Sequence, residues 1–391
     1  MTIMNSIVVQ KYGGSSVADP ARLGRVADRV AETVRLGKRV VVVVSAMGKS
    51  TDELLALARS VTPTPPRREL DMLLSCGERI SMALLAMALE ARGLSAISFT
   101  GSQSGILTND RHSGARIIEV RPVRIEDELA RDKVVIVAGF QGMSYKREIT
   151  TLGRGGSDTT AVALAAALSA EYCEICSDVD GVYSADPRVV PEARRLDAVS
   201  YDEMQELAEH GAKVLNAQAV EWAKKERIVI YARATSSPAG GDGKQTRVGG
   251  DEDVAGAARE QRGAIAVTGT RRVTVVSGGA ELLRVVDEER IALRAATLHD
   301  VRFVRDDVPD WPRVERRFVD AGATIDEQGE VTVVGTGVGS DAATLRRALA
   351  ATARVGAAPL GFAAAPLRLS LYVAPDAVDD ATRALHAALI A

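Results

Sequence analysis

The distribution of apolar residues divides the chain into two regions, and the first covers residues 1–235. Short apolar runs predict strands at 7–11, 39–45, 96–100, 133–138, 172–178 and 227–233. Apolar residues at helical spacing predict helices at 20–36, 52–61, 69–92 with an interruption at Gly77, 158–169 and 201–223. The valines that follow Arg39 are typical of a strand covered on both faces of a parallel sheet. This alternation of strands and helices predicts βαβ units and a mostly parallel sheet between helices.

The pattern changes after Thr235. A stretch rich in serine, proline and glycine opens residues 236–262 and predicts a linker. The rest of the chain contains two rough copies of one pattern, in which a strand, a helix and a second strand are followed by a closing helical stretch. The strands lie at 272–276 and 301–305 in the first copy, and at 331–335 and 367–373 in the second. We expect two small α+β modules of the βαββαβ type, at approximately 263–328 and 329–391, either in succession or interleaved.

Composition and charge narrow the class of protein. Apolar residues make up 46% and charged residues 26% of the 391 residues, which is ordinary for a globular protein. The formal net charge of −3 gives no broad basic face for nucleic acid. The N-terminus lacks the basic start and apolar run of a signal peptide, and the apolar stretches are interrupted before they reach about 18 residues. We therefore expect no membrane span and a cytoplasmic location.

Cysteines and histidines give no metal site. Cys173 and Cys176 form a C-x-x-C pair, but they lie on a predicted strand, where positions three apart point to opposite faces. No second pair completes a zinc site, so we interpret them as structural thiols. The histidines at 112, 210, 299 and 386 match no metal-ligand spacing, and we expect structural or solvated roles for them.

A glycine-rich loop follows the first predicted strand. It reads Lys11-Tyr-Gly-Gly-Ser-Ser16, and its glycines let the backbone approach a ligand and aim N–H groups at an anion. The alternative is a plain turn with a solvated lysine. A second candidate, Gly-Lys-Ser at 48–50, resembles the end of a P-loop, but Val43 stands where that motif requires glycine.

Two further segments are candidate anion or nucleotide sites. Gly153-Arg-Gly-Gly-Ser157 opens a helix of small residues, with Ser157 as the expected N-cap, and a helix N-terminus favours an anion. Arg154 adds a planar fork suited to a carboxylate or a phosphate. The segment 177–188 begins at the end of a predicted strand and presents Tyr183, Asp186 and Arg188, although a surface turn is the alternative.

Together these motifs resemble the aspartate kinase family of the amino acid kinase superfamily. The matching strings include Lys11–Ser16, Ser45–Gly48 with Thr51–Leu54, Gly77–Ser81, Phe99–Gly101, Leu152–Asp158, Ser177–Tyr183 with Ala185–Arg188, and Gly211–Leu215. The resemblance implies an α/β fold, a three-layer αβα sandwich with a mostly parallel sheet, followed by two ACT-like modules. It also implies phosphoryl transfer from ATP to the β-carboxylate of L-aspartate with Mg²⁺, giving 4-phospho-L-aspartate. This reaction begins lysine, threonine and methionine biosynthesis.

The expected chemistry explains the residue types. The β-carboxylate of the substrate has an ordinary pKa of about 3.9, so it is already ionised at neutral pH and needs no general base. Catalysis then depends on positioning and on cations and N–H donors around the transferred phosphoryl group. We predict Lys11 as the main cation and Asp158 as the group that orients it or a metal-bound water. By resemblance, the substrate residues are Ser45, Thr51, Glu78 and Arg154, and the nucleotide residues are Lys11, Gly13, Gly14, Ser15, Gly155, Gly156, Ser157, Ser177, Asp178, Tyr183, Asp186, Arg188 and Lys213.

The resemblance is weaker in the last third of the chain. The loops Ser277–Glu281 and Val338–Asp341 stand where feedback-regulated relatives have Pro-Gly turns near the bound amino acid. We therefore expect weak or absent inhibition by lysine or threonine, with the modules retained for contacts in a homodimer or higher homo-oligomer. Asn216-Ala-Gln218, close to Lys213 in the chain, also departs from the His-Pro-Arg of many relatives.

Two alternatives remain open. One is a kinase of the same superfamily that acts on glutamate, acetylglutamate or UMP. Glu78 together with Arg154 favours a free amino acid, because one can pair with the amine and the other with an acid. The other alternative is a non-catalytic amino-acid sensor or regulatory subunit built on ACT-like modules, and Lys11 and Asp158 argue against it.

Overall fold

The computed structural model describes residues 6–153, 155–241, 243–250, 263–279, 281–308 and 310–390. The chain forms two compact units. The first contains Met1–Val182, Leu196–Tyr201 and Val214–Gly256, and the second contains Tyr183–Arg195, Asp202–Lys213 and Ala257–Ala391. Two short segments that precede residue 235 therefore belong to the same unit as the C-terminal region.

Parallel strands form the centre of the first unit. The described strands are, in chain order, β1 (Ile7–Tyr12), β2 (Arg39–Val44), β3 (Ala96–Phe99), β4 (Ile106–Thr108), β5 (Ile117–Val120), β6 (Val134–Ala138), β7 (Gln141–Ser144), β8 (Ile149–Thr151), β9 (Tyr172–Ser177), β10 (Ala198–Ser200), β11 (Ile230–Ala234) and β12 (Gln245–Gly249). The main sheet has eight strands in the order β10-β12-β11-β9-β1-β2-β6-β3, and β12 runs antiparallel to β11. A second sheet has four strands in the order β5-β4-β7-β8.

The helices of this part of the chain are α1 (Pro20–Arg35), α2 (Ser50–Val61), α3 (Arg67–Leu74), α4 (Cys76–Glu90), α5 (Val123–Leu129), α6 (Gly156–Ala167), α7 (Tyr201–Glu209) and α8 (Ala217–Glu226). α1 shows how the sequence sets their ends. Asp19 caps it by accepting a hydrogen bond from the Arg22 N–H, and Gly37 follows it with a φ of 82°. Val26 and Val30 on α1 then pack with Val40 and Val42 of β2 in one buried core.

Residues 67–90 are long and apolar enough, by length and composition, to cross a membrane, whereas the sequence predicted no such span. In the structure they form two helices, α3 and α4. Leu85 and Leu89 of α4 are fully buried in the core of the first unit, and α4 packs against β2, β3 and β6. One face of α4 therefore belongs to the core of the first unit, and a core helix can satisfy the same length and composition criterion.

An antiparallel sheet forms the centre of the second unit. Its strands are β13 (Ala264–Ser277), β14 (Ala295–Ala296), β15 (Asp300–Phe303), β16 (Thr324–Gly335), β17 (Gly361–Ala365) and β18 (Arg368–Val373), in the order β14-β15-β13-β16-β18-β17. The accompanying helices are α9 (Glu281–Glu289), α10 (Trp311–Asp320), α11 (Ala342–Arg354) and α12 (Val378–Leu389).

The two copies of the βαββαβ pattern share this single sheet. β13 is long enough to contribute Val267 to one hydrophobic core, with Val331 and Leu371, and Val276 to another, with Phe303 and Phe318. The two halves of the unit are therefore interleaved through their longest strands, β13 and β16, which pair along most of their length.

In the first 235 residues the structure differs from the predictions at one helix and at one sheet. The single helix expected at 201–223 is two helices, because Gly211 adopts a φ of 120° and Asn216 caps α8 through its side chain. The four-stranded sheet was not predicted, since its strands have only three or four residues and no clear alternation of apolar and polar positions.

Candidate active site

Lys11 lies near the carboxyl end of β1, at the centre of the main sheet. It is in register with Val43 of β2 on one side and Ile175 of β9 on the other. Its Nζ is 2.7 Å from Oδ1 of Asp158, which lies in the first turn of α6. The two side chains are only 12% and 10% exposed, so the ion pair is largely shielded from water. Ligands of open parallel sheets bind at this edge.

The first glycine loop follows Lys11 directly. A Cβ on Gly14 would lie 2.8 Å from the carbonyl oxygen of Ala46, so only glycine fits there without movement of the backbone. The Gly48 N–H donates to the Gly14 carbonyl at 3.0 Å. The segment Gly48–Ser50 therefore packs against the backbone of the first glycine loop. The Lys49 side chain is exposed.

The second glycine loop leads into α6. Gly155 has a φ of 71°, and a Cβ there would lie 2.4 Å from Nδ2 of Asn216. Gly155 occupies the N-cap position, so the prediction that Ser157 caps this helix was wrong. The left-handed turn at Gly155 begins the helix two residues earlier, and Ser157 is buried inside its first turn. Arg154 lies outside the described residues.

Asn216 links the second loop to α8. Its Oδ1 accepts hydrogen bonds from the Gln218 and Ala219 N–H groups and from the Thr159 hydroxyl of α6. The departure from the family pattern at this position therefore provides both a helix cap and a contact to α6.

Glu78 is buried at the start of α4. Its Oε1 accepts a hydrogen bond from the Ala46 N–H at 3.2 Å, and no donor among the described residues reaches its buried Oε2. Burial raises the pKa of Glu78 to about 7. One turn further on, the Ser81 hydroxyl donates to the Ser45 carbonyl at 2.7 Å. α4 thus fixes the backbone at Ser45 and Ala46 and leaves one carboxylate oxygen of Glu78 available to a cation.

Asp71 of α3 is a buried acceptor that the sequence analysis missed. Its carboxylate accepts hydrogen bonds from the Thr151 N–H at 3.2 Å, the Thr151 hydroxyl at 2.6 Å and the Ser113 N–H at 3.1 Å. His112 Nδ1 lies 2.8 Å from the same carboxylate. Asp71 thus holds the strand that leads into the second glycine loop. The available signal was a lone acidic residue in line with Leu74 and Glu78 on the buried side of the helices.

Thr235 is a second missed residue, at the end of β11. Its N–H and its hydroxyl both donate to the Ser177 carbonyl, at 2.8 and 2.9 Å. The Ser16 hydroxyl lies 2.6 Å from the Thr235 hydroxyl. Because the Thr235 proton is directed to Ser177, Ser16 is the donor in that pair. Thr235 thereby connects the first glycine loop to the end of β9.

The structure brings most of the predicted site residues to the carboxyl edge of the main sheet, and it places others in the second unit. Ser15, Ser45 and Asp178 follow strands of the main sheet, Ser177 is the last residue of β9, and Thr51 lies in the first turn of α2. The residues in the second unit are Tyr183, Asp186, Arg188 and Lys213. Within that unit, Arg188 Nη2 lies 2.6 Å from Asp186 Oδ2, and this guanidinium lowers the pKa of Asp186.

Two of the cysteines and two of the histidines are buried. Cys173 and Cys176 are fully buried in β9, and burial raises the pKa of both thiols, to about 12 at Cys176. In the second unit, His210 Nδ1 lies 3.0 Å from Oε1 of the buried Glu330, and His386 contacts Ser184.

Comparison with known proteins defines the class. Residues 6–232 match the amino acid kinase family. The aspartokinase of Mycolicibacterium smegmatis is 42% identical over 98% of this chain and 96% of its own length. The aspartokinase of Corynebacterium glutamicum is also 42% identical, over 97% of this chain and 95% of its own. The crystal structure of E. coli aspartokinase III in complex with aspartate and ADP has a TM-score of 0.86 at 23% identity, covering 98% of this chain and 100% of that one.

The chain therefore belongs to the aspartokinases, within the amino acid kinase family. The family resemblance and the fold class expected from the sequence are confirmed.

Proposed function

We propose that the protein transfers the γ-phosphoryl group of ATP to the β-carboxylate of L-aspartate, with Lys11 as the principal cation of the reaction. A β-carboxylate oxygen forms a bond to the γ-phosphorus while the bond from that phosphorus to the β,γ-bridging oxygen breaks. ADP leaves with the electron pair of the broken bond, and the product is 4-phospho-L-aspartate. No proton is transferred, because the attacking carboxylate is already ionised.

The Lys11–Asp158 pair is the observation that supports this assignment of roles. It lies at the carboxyl edge of a parallel sheet, next to the first glycine loop and at the start of α6. Lys11 stabilises the negative charge of the transferred group, and the N–H groups of Gly14 and Gly155 bind phosphate oxygens. The N–H groups of Gly13 and Gly156 instead donate to the carbonyls of Cys176 and Gly153. Asp158 keeps the Lys11 ammonium in place.

The position of Asp158, next to Lys11, fits a magnesium ion. Mg²⁺ prefers carboxylate oxygens, phosphate oxygens and water, and Asp158 supplies a carboxylate there. The ion, when bound, neutralises charge on the phosphates. Asp158 would hold it directly or through a water molecule.

Substrate and nucleotide occupy opposite sides of the transferred group in this proposal. Glu78 receives the ammonium group of aspartate on its available oxygen, and Arg154 binds a substrate carboxylate. Ser45 and Thr51 complete the amino-acid side. The nucleotide is bound by Ser15, Ser157, Ser177, Asp178, Tyr183, Asp186, Arg188 and Lys213.

Trapping with hydroxylamine tests the function directly. An acyl phosphate reacts with hydroxylamine to give a hydroxamate, which distinguishes carboxyl phosphorylation from simple ATP hydrolysis. We expect hydroxamate and ADP to form together when aspartate, ATP and Mg²⁺ are present. The release of ADP can also be measured with glutamate, acetylglutamate or UMP in place of aspartate. Faster ADP release with one of these acceptors would exclude aspartate as the substrate. ADP release that does not depend on aspartate would exclude it as well.

We further infer weak feedback control. The turn at Ser277–Gly279 and the loop at Val338–Asp341 lack the Pro-Gly turns of feedback-regulated relatives. The aspartate-dependent rate should therefore change little when lysine or threonine is added at low millimolar concentration. Strong inhibition by either amino acid would contradict this inference.

A further inference from the structure

Part of the proposed nucleotide site is held by the C-terminal helix of the chain. Tyr183, Asp186 and Arg188 lie in the segment Tyr183–Arg195, which belongs to the second unit. That segment is largely irregular, with one short bridge between Tyr183 and Arg195. Its conformation therefore depends on contacts with neighbouring elements.

Ser184 is the buried anchor of this segment. Its hydroxyl is fully buried and lies 2.9 Å from His386 Nε2 on α12. The same hydroxyl accepts a hydrogen bond from the Arg194 N–H at 3.0 Å. The Ser184 backbone is also fixed, because its carbonyl accepts from the Val267 N–H of β13 at 2.7 Å.

Two more contacts join the segment to the same helix. Arg194 Nη2 donates to the Ile390 carbonyl at 2.8 Å, just beyond the end of α12. Arg383 Nη1 donates to the Val189 carbonyl at 3.4 Å. The segment is thus bonded to the C-terminal helix near its beginning, its middle and its end, and the bond at Ser184 is the buried one.

We propose that His386 is a positioning residue for the nucleotide: through Ser184 it fixes the segment that carries Tyr183, Asp186 and Arg188. This inference rests on the proposed nucleotide role of those three residues. The C-terminal module is then required for normal ATP binding even when no regulatory amino acid is bound. Loss of the His386 ring leaves the Ser184 hydroxyl without its partner on α12 and frees the segment to adopt other conformations.

The test compares three variants of the full-length protein with the wild type. His386→Ala removes the bond, and His386→Gln keeps a polar nitrogen near the position of Nε2. Thr382→Val is the matched control, because Thr382 is buried on the same helix and its hydroxyl donates to the Val378 carbonyl of that helix. Initial rates give kcat and the KM values for ATP and aspartate, and calorimetry gives the Kd of ADP.

We expect His386→Ala to raise the KM for ATP and the Kd of ADP by about three- to tenfold, the range for one lost hydrogen bond. The KM for aspartate should stay within about twofold of the wild type. His386→Gln should recover most of the nucleotide affinity, and Thr382→Val should leave it unchanged. If His386→Ala folds poorly, Ser184→Ala removes the same bond from the other side and should give the same selective loss.

The proposal is overturned if the alanine variants lower the melting temperature but leave nucleotide affinity unchanged. It is also overturned if the KM values for ATP and aspartate rise together, or if His386→Gln is as impaired as His386→Ala. These results differ from a failure of the proposed function, which would appear as absent aspartate-dependent activity in the wild type.

Discussion

Lys11 of β1 and Asp158 of α6 form an ion pair of 2.7 Å at the carboxyl edge of the main sheet. The strand and the helix meet there because α6 is built from small residues and packs directly against β1 and β9. Asp158 thus lies at the positive end of a helix and next to a lysine, and both attract a carboxylate. The same arrangement fixes the position of the Lys11 ammonium before a phosphate arrives.

Replacement of Lys11 by alanine should abolish most of the activity. The loss of a preorganised charge at the transferred group costs roughly 10²–10³ in kcat, and more where no other cation compensates. Lys49→Ala is the matched control, because Lys49 is exposed and belongs to the sequence that resembles a P-loop. Steady-state kinetics should show near-normal activity for Lys49→Ala. The reverse result, with Lys49 essential and Lys11 dispensable, would show that the phosphate binds at the Lys49 loop, which contradicts the proposal.

Aspartate capture should depend on pH through Glu78. Burial raises the pKa of Glu78 to about 7, and only the ionised form attracts the substrate ammonium. The value of kcat/KM for aspartate should therefore rise with pH and level off above about pH 7, and fall roughly tenfold per unit below it. Glu78→Gln should lower kcat/KM and remove this step from the pH profile. A wild-type profile that is flat between about pH 6 and 8 would contradict the assigned role.

Asp71→Asn should weaken aspartate binding indirectly, because residue 71 contacts the strand before the second glycine loop and not the substrate. The new amide group would face donors from Thr151 and Ser113, and the strand before the second glycine loop would lose its anchor. We expect the free energy of unfolding to fall by about 1–3 kcal/mol and the KM for aspartate to rise about tenfold. Denaturant unfolding and initial rates measure the two effects.

Asp110→Asn is the control for that variant. Asp110 pairs with Lys146 at 2.6 Å on the surface, where both side chains are more than half exposed. Exposed ion pairs contribute little to stability, so this variant should behave like the wild type. If both variants lost the same unfolding free energy and showed the same rise in the KM for aspartate, Asp71 would have no special role in positioning the loop.

A buried charge cluster in the first unit should affect stability rather than chemistry. Glu174 of β9 is fully buried, lies 3.1 Å from Arg29 Nη2, and also pairs with Arg233. Glu174→Gln would leave two buried guanidinium groups undercompensated, so we expect unfolding free energy to fall by about 3–5 kcal/mol. Glu171→Gln, which removes a partly exposed partner of Lys38, is the control and should cost little. Thermal unfolding would contradict this account if the two variants were equally stable.

The sequence predicted the parallel core because its signals are local. The valines of β2 and the caps of α1 at Asp19 and Gly37 do not depend on distant residues. The glycine loops were also predicted from motifs at strand ends, and Asp158 was expected to orient either Lys11 or a metal-bound water. Short strands such as β4 and β8 gave no comparable signal, since they form only when partners from elsewhere in the chain align with them.

The supporting residues of the site were harder to predict for a related reason. Asp71 and Thr235 act through hydrogen bonds to loops distant in sequence, and a single polar residue does not reveal such partners. The interpretation of Ser157 failed because a left-handed Gly155 and a serine are both acceptable starts for a helix. A Cβ at position 155 would lie 2.4 Å from Nδ2 of Asn216, and the sequence alone does not reveal this close approach.

A crystal structure with L-aspartate, Mg²⁺ and a non-hydrolysable ATP analogue tests the central claim most directly. A γ-phosphate oxygen should lie within about 3 Å of Lys11 Nζ, with further contacts to N–H groups of the two glycine loops. The β-carboxylate of aspartate should approach the γ-phosphorus from the side of Glu78. A terminal phosphate bound at Lys49, or out of contact with both Lys11 and the start of α6, would contradict the account.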